Sequence, residues 1–189
     1  MSGKSTFLRT VLINSILAQT LYICFAESYE ASFLNPFSSI TIEDDLLEGS
    51  SYFFEEVEII KVMTEQVSVS ANNLFVIDET FKGTNTLERI SLAKAVLEFL
   101  NKNDNIVIAS SHDLELIELL SKDFEMFYFT ENIHENSLNF DHTIKPGFLK
   151  TTNAIKIAEI ENFPQLIIDQ AYKMTKEYKA GTFSIQIEK

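Results

Sequence analysis

Four short groups of residues in this 189-residue chain have the types and spacing to handle a nucleotide. The first is Gly3-Lys4-Ser5-Thr6, which matches the second half of the phosphate-binding pattern G-x-x-x-x-G-K-[ST]. Met1 then fills the fourth position of that pattern, which predicts three further residues, including its first glycine, upstream. Backbone N–H groups opening a helix after Gly3 would face an anion, and the helix dipole favours negative charge there. Lys4 would reach the β- and γ-phosphates, the Ser5 hydroxyl would hold Mg²⁺, and Thr6 belongs to the same binding run. A chance G-K-S-T at a chain end is the plain alternative for this segment alone.

The second group is Leu74-Phe75-Val76-Ile77-Asp78-Glu79, an apolar run ending in two acids. A strand of this kind delivers its acids to the carboxyl end of a sheet, where α/β proteins bind ligands. Asp78 suits the oxygen shell of Mg²⁺, and Glu79 sits where it could orient or deprotonate an attacking water. A solvated strand end that caps the next helix is the bland alternative. The third group is Ile106–Ala109 followed by Ser110-Ser111-His112. His112 follows the acidic strand by one helix, so it falls on the same rim and could contact a γ-phosphate or the water. His134 and His142 read as ordinary structural histidines. The fourth group, Asp44 to Glu56, is by pattern a polar turn that caps a helix.

The elements that must carry these residues alternate between helix and strand. A helix is predicted from Ser5 to about Leu21, with Leu8, Val11, Leu12, Ser15 and Leu17 near its buried side. Strand-like stretches follow at Tyr22–Phe25 and Ser39–Ile42. Ser50 or Ser51 can cap a long helix bearing Phe53, Val57, Ile60 and Thr64, with Glu55 and Glu56 in its first turns. The continuous run Leu74–Ile77 marks a strand buried on both faces. A helix over Thr86–Asn101, the Ile106–Ala109 strand and a helix from an Asp113 cap to Leu120 come next. Met126–Thr130 and Ser137–Ile144 read as two strands joined by the turn Glu131–Asn136, ended by Pro146-Gly147. Helices near Asn153–Glu159 and from Pro164, at a first helical position, close the chain. Such alternation predicts an α/β fold with a mostly parallel central sheet flanked by helices, plus a β-hairpin and C-terminal helices.

Composition narrows the classes. The net charge of −13, from 15 basic and 28 acidic residues, opposes phosphate neutralisation, and no basic run appears. The segment by itself is therefore a poor DNA binder. The single cysteine, Cys24, excludes a disulfide framework and fits a reducing, cytoplasmic compartment. Phe7–Phe25 is apolar, but Arg9, Thr10, Asn14, Ser15, Gln19 and Thr20 interrupt it as a membrane span. A signal peptide is its better rival, and a buried helix after a phosphate loop explains the same residues more fully.

In this order the segments resemble the ATPase domain of the DNA mismatch-repair MutS family, a branch of the ABC-type P-loop ATPases. The matches are G-K-S-T at Gly3–Thr6, D-D-L-x-x-G-x-S-x-F at Asp44–Phe53, D-E-x-x-x-G-T at Asp78–Thr84, and S-H at Ser111-His112. Lys145-Pro146-Gly147 and Thr151–Ile155 continue the likeness to about Lys179. The resemblance implies ATP and Mg²⁺ as ligands and a homodimer with two composite sites. Gly3, Lys4, Ser5, Asp78, Glu79 and His112 would serve the nucleotide of their own subunit, and Ser51 would approach the γ-phosphate held by the partner. The Gly83–Thr86 loop would lie at the dimer face, braced by the helices after Asn153. The implied division is an ATPase core over 1–150, lacking its first strand and half-loop, and a dimerising helical segment over 151–189.

The chain also departs from the family pattern. Thr80-Phe81-Lys82 stands where the family often has Ile-Gly-Arg before the glycine, and Thr84–Arg89 looks more like the smaller MutS-like proteins. DNA would be gripped through domains N-terminal to this stretch, not by this stretch itself. Two lost charge-assisted donors of the half-loop would weaken ATP binding by about 3–6 kcal/mol, so the chain alone is expected to bind and hydrolyse ATP poorly. The alternatives are a non-catalytic dimerisation module and another ABC-type repair ATPase. The latter places a long coiled coil between the two phosphate-site segments, which lie close together in this sequence.

Overall fold

The computed structural model describes residues 3–40, 52–69, 72–134, 137–149 and 153–180. Its elements run α1 (Lys4–Leu21), β1 (Asn35–Ser39), α2 (Tyr52–Val69), β2 (Asn73–Asp78), α3 (Thr86–Leu100), β3 (Ile106–Ser110) and α4 (Leu114–Leu120). Four short strands follow: β4 (Phe127–Tyr128), β5 (Glu131–His134), β6 (Ser137–Phe140) and β7 (Lys145–Pro146). Helices α5 (Ala154–Ile160) and α6 (Gln165–Lys179) complete the order. The chain divides into two compact units, the first spanning Gly3–Phe127 with Pro146–Phe148 and the second Tyr128–Lys145 with Leu149–Lys189.

The first unit is built around a parallel sheet of order β1-β2-β3. Continuous hydrophobicity in Leu74–Ile77 has its reason here, because each face of β2 meets a different cluster. Phe75 and Ile77 pack with Ile60, Met63 and Val67 of α2, with Ile90, Ala93 and Leu97 of α3, and with Leu116 of α4. Leu74 and Val76 pack on the other side with Leu8 of α1 and with Leu34. All four central residues are at most 1% exposed. The carboxamide of Asn105 ties the sheet's entrance, accepting from the Asn73 backbone N–H and from Asn73 Nδ2, and donating to the Leu100 carbonyl.

α1 is anchored at one end by Gln19. Its Nε2 donates to the Leu34 carbonyl at 3.0 Å, and its Oε1 accepts the Leu34 N–H at 2.5 Å. Leu34 directly precedes β1, so the carboxyl end of α1 lies at the entrance of the sheet. About 22 Å of helix separates Gln19 from Lys4, comparable to the roughly 17 Å of strand from Asn73 to Asp78. Since Leu8 packs against Val76 in the same cluster, α1 runs back over the sheet towards the strands' carboxyl ends. Among the described residues no helix is long and apolar enough to cross a membrane.

Several local expectations are corrected. Tyr22–Phe25 is not a strand: Tyr22 ends α1 in a left-handed conformation (φ 57°), and the buried Asn14 Oδ1 accepts the Phe25 N–H. The first strand is Asn35–Ser39, earlier than Ser39–Ile42, because its register follows Asn73–Ile77; positions 41 and 42 lie outside the described residues. Glu131–His134 is a strand paired antiparallel with Ser137–Phe140 and not a turn, whereas Phe127–Tyr128 pairs with Lys145–Pro146. Pro164 is the cap before α6 and not its first helical residue.

In the second unit Ile168 of α6 is buried. Asn162, left-handed at φ 59°, turns the chain between α5 and α6. Ile167, Met174 and Tyr178 lie on an exposed stripe of α6 at helical spacing.

Because Phe75 is fully enclosed between β2 and three helices, Phe75→Ala is expected to lower unfolding free energy by about 3–5 kcal/mol. Urea unfolding followed by circular dichroism checks this, and a loss under about 1 kcal/mol contradicts the packing described.

Candidate functional site

β2 ends by handing two acids to the sheet's carboxyl rim. The Ser110 hydroxyl, in register with Asp78 on β3, donates to Asp78 Oδ1 and orients that carboxylate. Glu79 leaves the strand in a left-handed conformation (φ 56°), with its N–H donated to the Ser110 carbonyl at 3.2 Å. Both of its carboxylate oxygens are engaged. His112 Nε2 lies 2.5 Å from Oε1 and Lys82 Nζ 2.6 Å from Oε2. The Glu79 side chain is 19% exposed against 68% for His112 and 50% for Lys82, so the acid is sheltered behind two solvent-facing bases.

Beside this cluster Arg89, from the first turns of α3, makes a two-pronged bond to Asp113. Nε reaches Oδ2 at 2.9 Å and Nη2 reaches Oδ1 at 2.6 Å. The Asp113 hydrogen bond is the main reason that the Arg89 guanidinium is raised above its ordinary value, with Asp113, Glu115 and Glu79 adding charge attraction. Asp113 therefore does not cap α4 with its side chain, as its position before Leu114 suggested. A fork-shaped guanidinium with matched donors outcompetes a single backbone N–H. Together these residues, with Thr80 and Ser111, line a cleft of about 310 Å³.

The loop after Glu79 is held from α2. Phe81 is buried and left-handed (φ 60°), a conformation that costs on the order of 1–3 kcal/mol in a bulky residue. Its N–H is accepted by Oε1 of Glu56, which is itself only 6% exposed. Phe53 packs edge-on against the Phe81 ring at 6.3 Å. Gly83 lies so close to Phe53 that an added Cβ would stand 2.8 Å from the Phe53 Cβ, which explains glycine there. Burial is the largest influence on Glu56 and raises its carboxyl above the usual range, against lowering by the Phe81 N–H and by Lys82. Glu56 was expected with Glu55 at the helix dipole. It turns inward because Phe53, Glu56, Ile60, Met63 and Val67 form one stripe, a spacing visible in the sequence.

The expected site residues fall into distinct positions. Glu79 and His112 are in direct contact, and Asp78 is next in sequence, bonded to Ser110. Gly3 is a left-handed N-cap (φ 105°) whose carbonyl accepts the Phe7 N–H, and Lys4, Ser5 and Thr6 form the first turn of α1. The direction of α1 brings that turn to the same end of the sheet, apart from the lining of the cleft. Ser51 lies outside the described residues. His142 stacks on Phe140 at 6.0 Å. Ser5 and Asp78 offer hard oxygen donors, the chemistry that Mg²⁺ takes alongside phosphate oxygens. Among the described residues no group of three or more His, Cys, Asp or Glu side chains could hold a metal by itself. Arg89, Asp113, Lys82 and Glu56 were not anticipated as site residues.

The family described as MutS domain V matches residues 1–179. The DNA mismatch repair protein MutS of Bacillus pumilus (strain SAFR-032) is 30% identical over 191 residues, covering 98% of this chain and 22% of that protein. The DNA mismatch repair protein MutS of Staphylococcus aureus (strain JH9) is 28% identical over 185 residues, covering 96% and 21%. The chain thus spans about a fifth of the length of these curated relatives.

Two outcomes are expected from this geometry. A double-mutant cycle of Arg89→Ala and Asp113→Ala should give a coupling of about 1–3 kcal/mol in thermal or urea unfolding, and additive losses would contradict a bidentate pair. Glu56 binds its proton more tightly when folded than at its unfolded value of 4.5. Its favourable contribution is full below that pH and is lost as pH rises through the higher folded value. Glu56→Gln should therefore gain stability relative to the natural protein as pH rises from about 4 to 7. Parallel urea midpoints across that range would show no such linkage.

Proposed function

The chain belongs to the MutS family, matching its domain V over residues 1–179, and from this premise we propose that it binds and hydrolyses ATP on behalf of a MutS-type DNA repair protein. The observation that carries the reading is Glu79. A carboxylate just past a strand buried from Asn73 to Ile77, paired with His112 and adjacent to Asp78, has the position needed by a group that activates water. The glycine-led start of α1 supplies the other half, since the N–H groups of a helix start and Lys4 suit a chain of phosphates.

In this reading the site is of P-loop, ABC type. Gly3, Lys4, Ser5 and Thr6 hold the phosphates, while Ser5 and Asp78 are the residues that would hold Mg²⁺. Bound Mg²⁺ supplies neutralisation of the charge that develops on the phosphoryl oxygens. Ser110 keeps the Asp78 carboxylate aimed, and Glu79 accepts the proton of the attacking water. His112 and Lys82 hold the Glu79 carboxylate in place until then, and His112 is placed to contact the γ-phosphate or the water. Ser51 serves the nucleotide of a partner subunit, and residues 151–189 join the two subunits. The exposed stripe Ile167, Met174 and Tyr178 on α6 supports such an apolar contact. DNA is bound through other parts of the full-length protein, in keeping with the net charge of −13 in this chain. ATP binding closes the dimer and so acts on irregular DNA.

The decisive variant is Glu79→Gln in the full-length protein. It should retain Mg-ATP binding by equilibrium titration and lose turnover by about 10²-fold or more. Retained turnover removes Glu79 from the role, and wild-type protein that neither binds nor hydrolyses ATP leaves only a dimerisation module.

A further inference from the structure

Glu56 is the only acidic side chain in the buried class among the described residues. An apolar residue on this stripe of α2 would bury at lower cost, so the carboxyl must do something that a leucine does not. Its Oε1 accepts the Phe81 N–H, while Oε2 is buried with no hydrogen-bond partner. The segment that it holds contains two non-glycine residues in left-handed backbone, Glu79 and Phe81. Conformations of this kind persist only where surrounding contacts over-determine them. α2 supplies those contacts: Phe53 lies against the Phe81 ring and against Gly83, and Glu56 takes the backbone N–H between them.

We propose that Glu56 is a positioning residue for Glu79, acting through the backbone of the Glu79–Gly83 loop. With the Phe81 N–H fixed from the α2 side, the loop cannot relax its left-handed residues, and the Glu79 carboxylate stays at the mouth of the cleft. Without that acceptor the N–H is left buried and unpaired, the loop rearranges to satisfy it, and Glu79 turns with the backbone. α2 is then a strut that presses on the loop carrying the water-activating group. The inference rests on the proposed role of Glu79.

The chemistry of the grip separates three substitutions. A Gln side chain keeps an acceptor oxygen at the same reach, Asp falls one methylene short, and Leu fills the space without any acceptor. In the full-length protein, ATP hydrolysis and Mg-ATP binding are measured for Glu56→Gln, Glu56→Asp and Glu56→Leu. Glu56→Leu and Glu56→Asp should lose kcat on the order of 10²-fold while the nucleotide Kd stays near the natural value. Glu56→Gln should keep kcat. If Glu56→Leu does not fold, the Asp and Gln pair decides by the same comparison.

Natural kcat in Glu56→Asp, or an equal loss in Glu56→Gln and Glu56→Asp, overturns the proposal, as does parallel loss of binding and turnover. Amide exchange at Phe81 reads the grip without catalysis, and it should be faster in Glu56→Asp than in Glu56→Gln. Failure of the underlying reading looks different: Glu79→Gln then turns over normally, while the exchange difference at Phe81 persists.

Discussion

Leu74, Phe75, Val76 and Ile77 have no face left for water. Both edges of their strand are paired, and each side is covered by a separate cluster. At about 25 cal/mol per Å² of apolar surface, a strand enclosed in this way is the strongest organiser available to a small α/β unit. It is also the least able to slip, because a shift of one residue would exchange the side chains of its two faces. Asp78 and Glu79 inherit that rigidity. Their placement is a by-product of the burial of the four residues before them, which is how a sheet can present acids at its rim without a dedicated scaffold.

Beyond the rim, rigidity comes from side chains instead of ladders. The Glu79–Gly83 loop has no strand partner after the Glu79 N–H, and it adopts backbone that bulky residues avoid. It is pinned on one side by Phe53 and Glu56 of α2 and on the other by the contacts of Glu79 with His112. Arg89 and Asp113 tie the start of α3 to the turn that carries His112. Three segments distant in sequence thus meet around one carboxylate. The site combines a buried acid on α2, an ion-paired acid on the loop and an arginine fork, so its electrostatics are those of a closed cluster, not of an open acidic surface. That distinction matters in a chain carrying a net charge of −13.

Much of this was legible from residue order. The uninterrupted apolar run ending in two acids specified a doubly covered strand, because only burial on both faces selects for hydrophobicity without alternation. Helical spacing located α2, and α3 and α6 start within a residue of the expected Thr86 and Pro164. G-K-S-T identified a helix start, and the order of segments identified the family, since pattern and spacing are local properties of the chain. Tertiary structure alone decided the rest, because those outcomes depend on which distant groups compete for the same atoms. Asp113 looked like a helix cap until Arg89 reached it, and Glu56 looked like a dipole partner until the Phe81 N–H needed an acceptor. Tyr22–Phe25 had strand-like residues, yet the buried Asn14 claimed the backbone that a strand would have used. A sequence states what each residue can bond; only the folded chain determines which partner arrives.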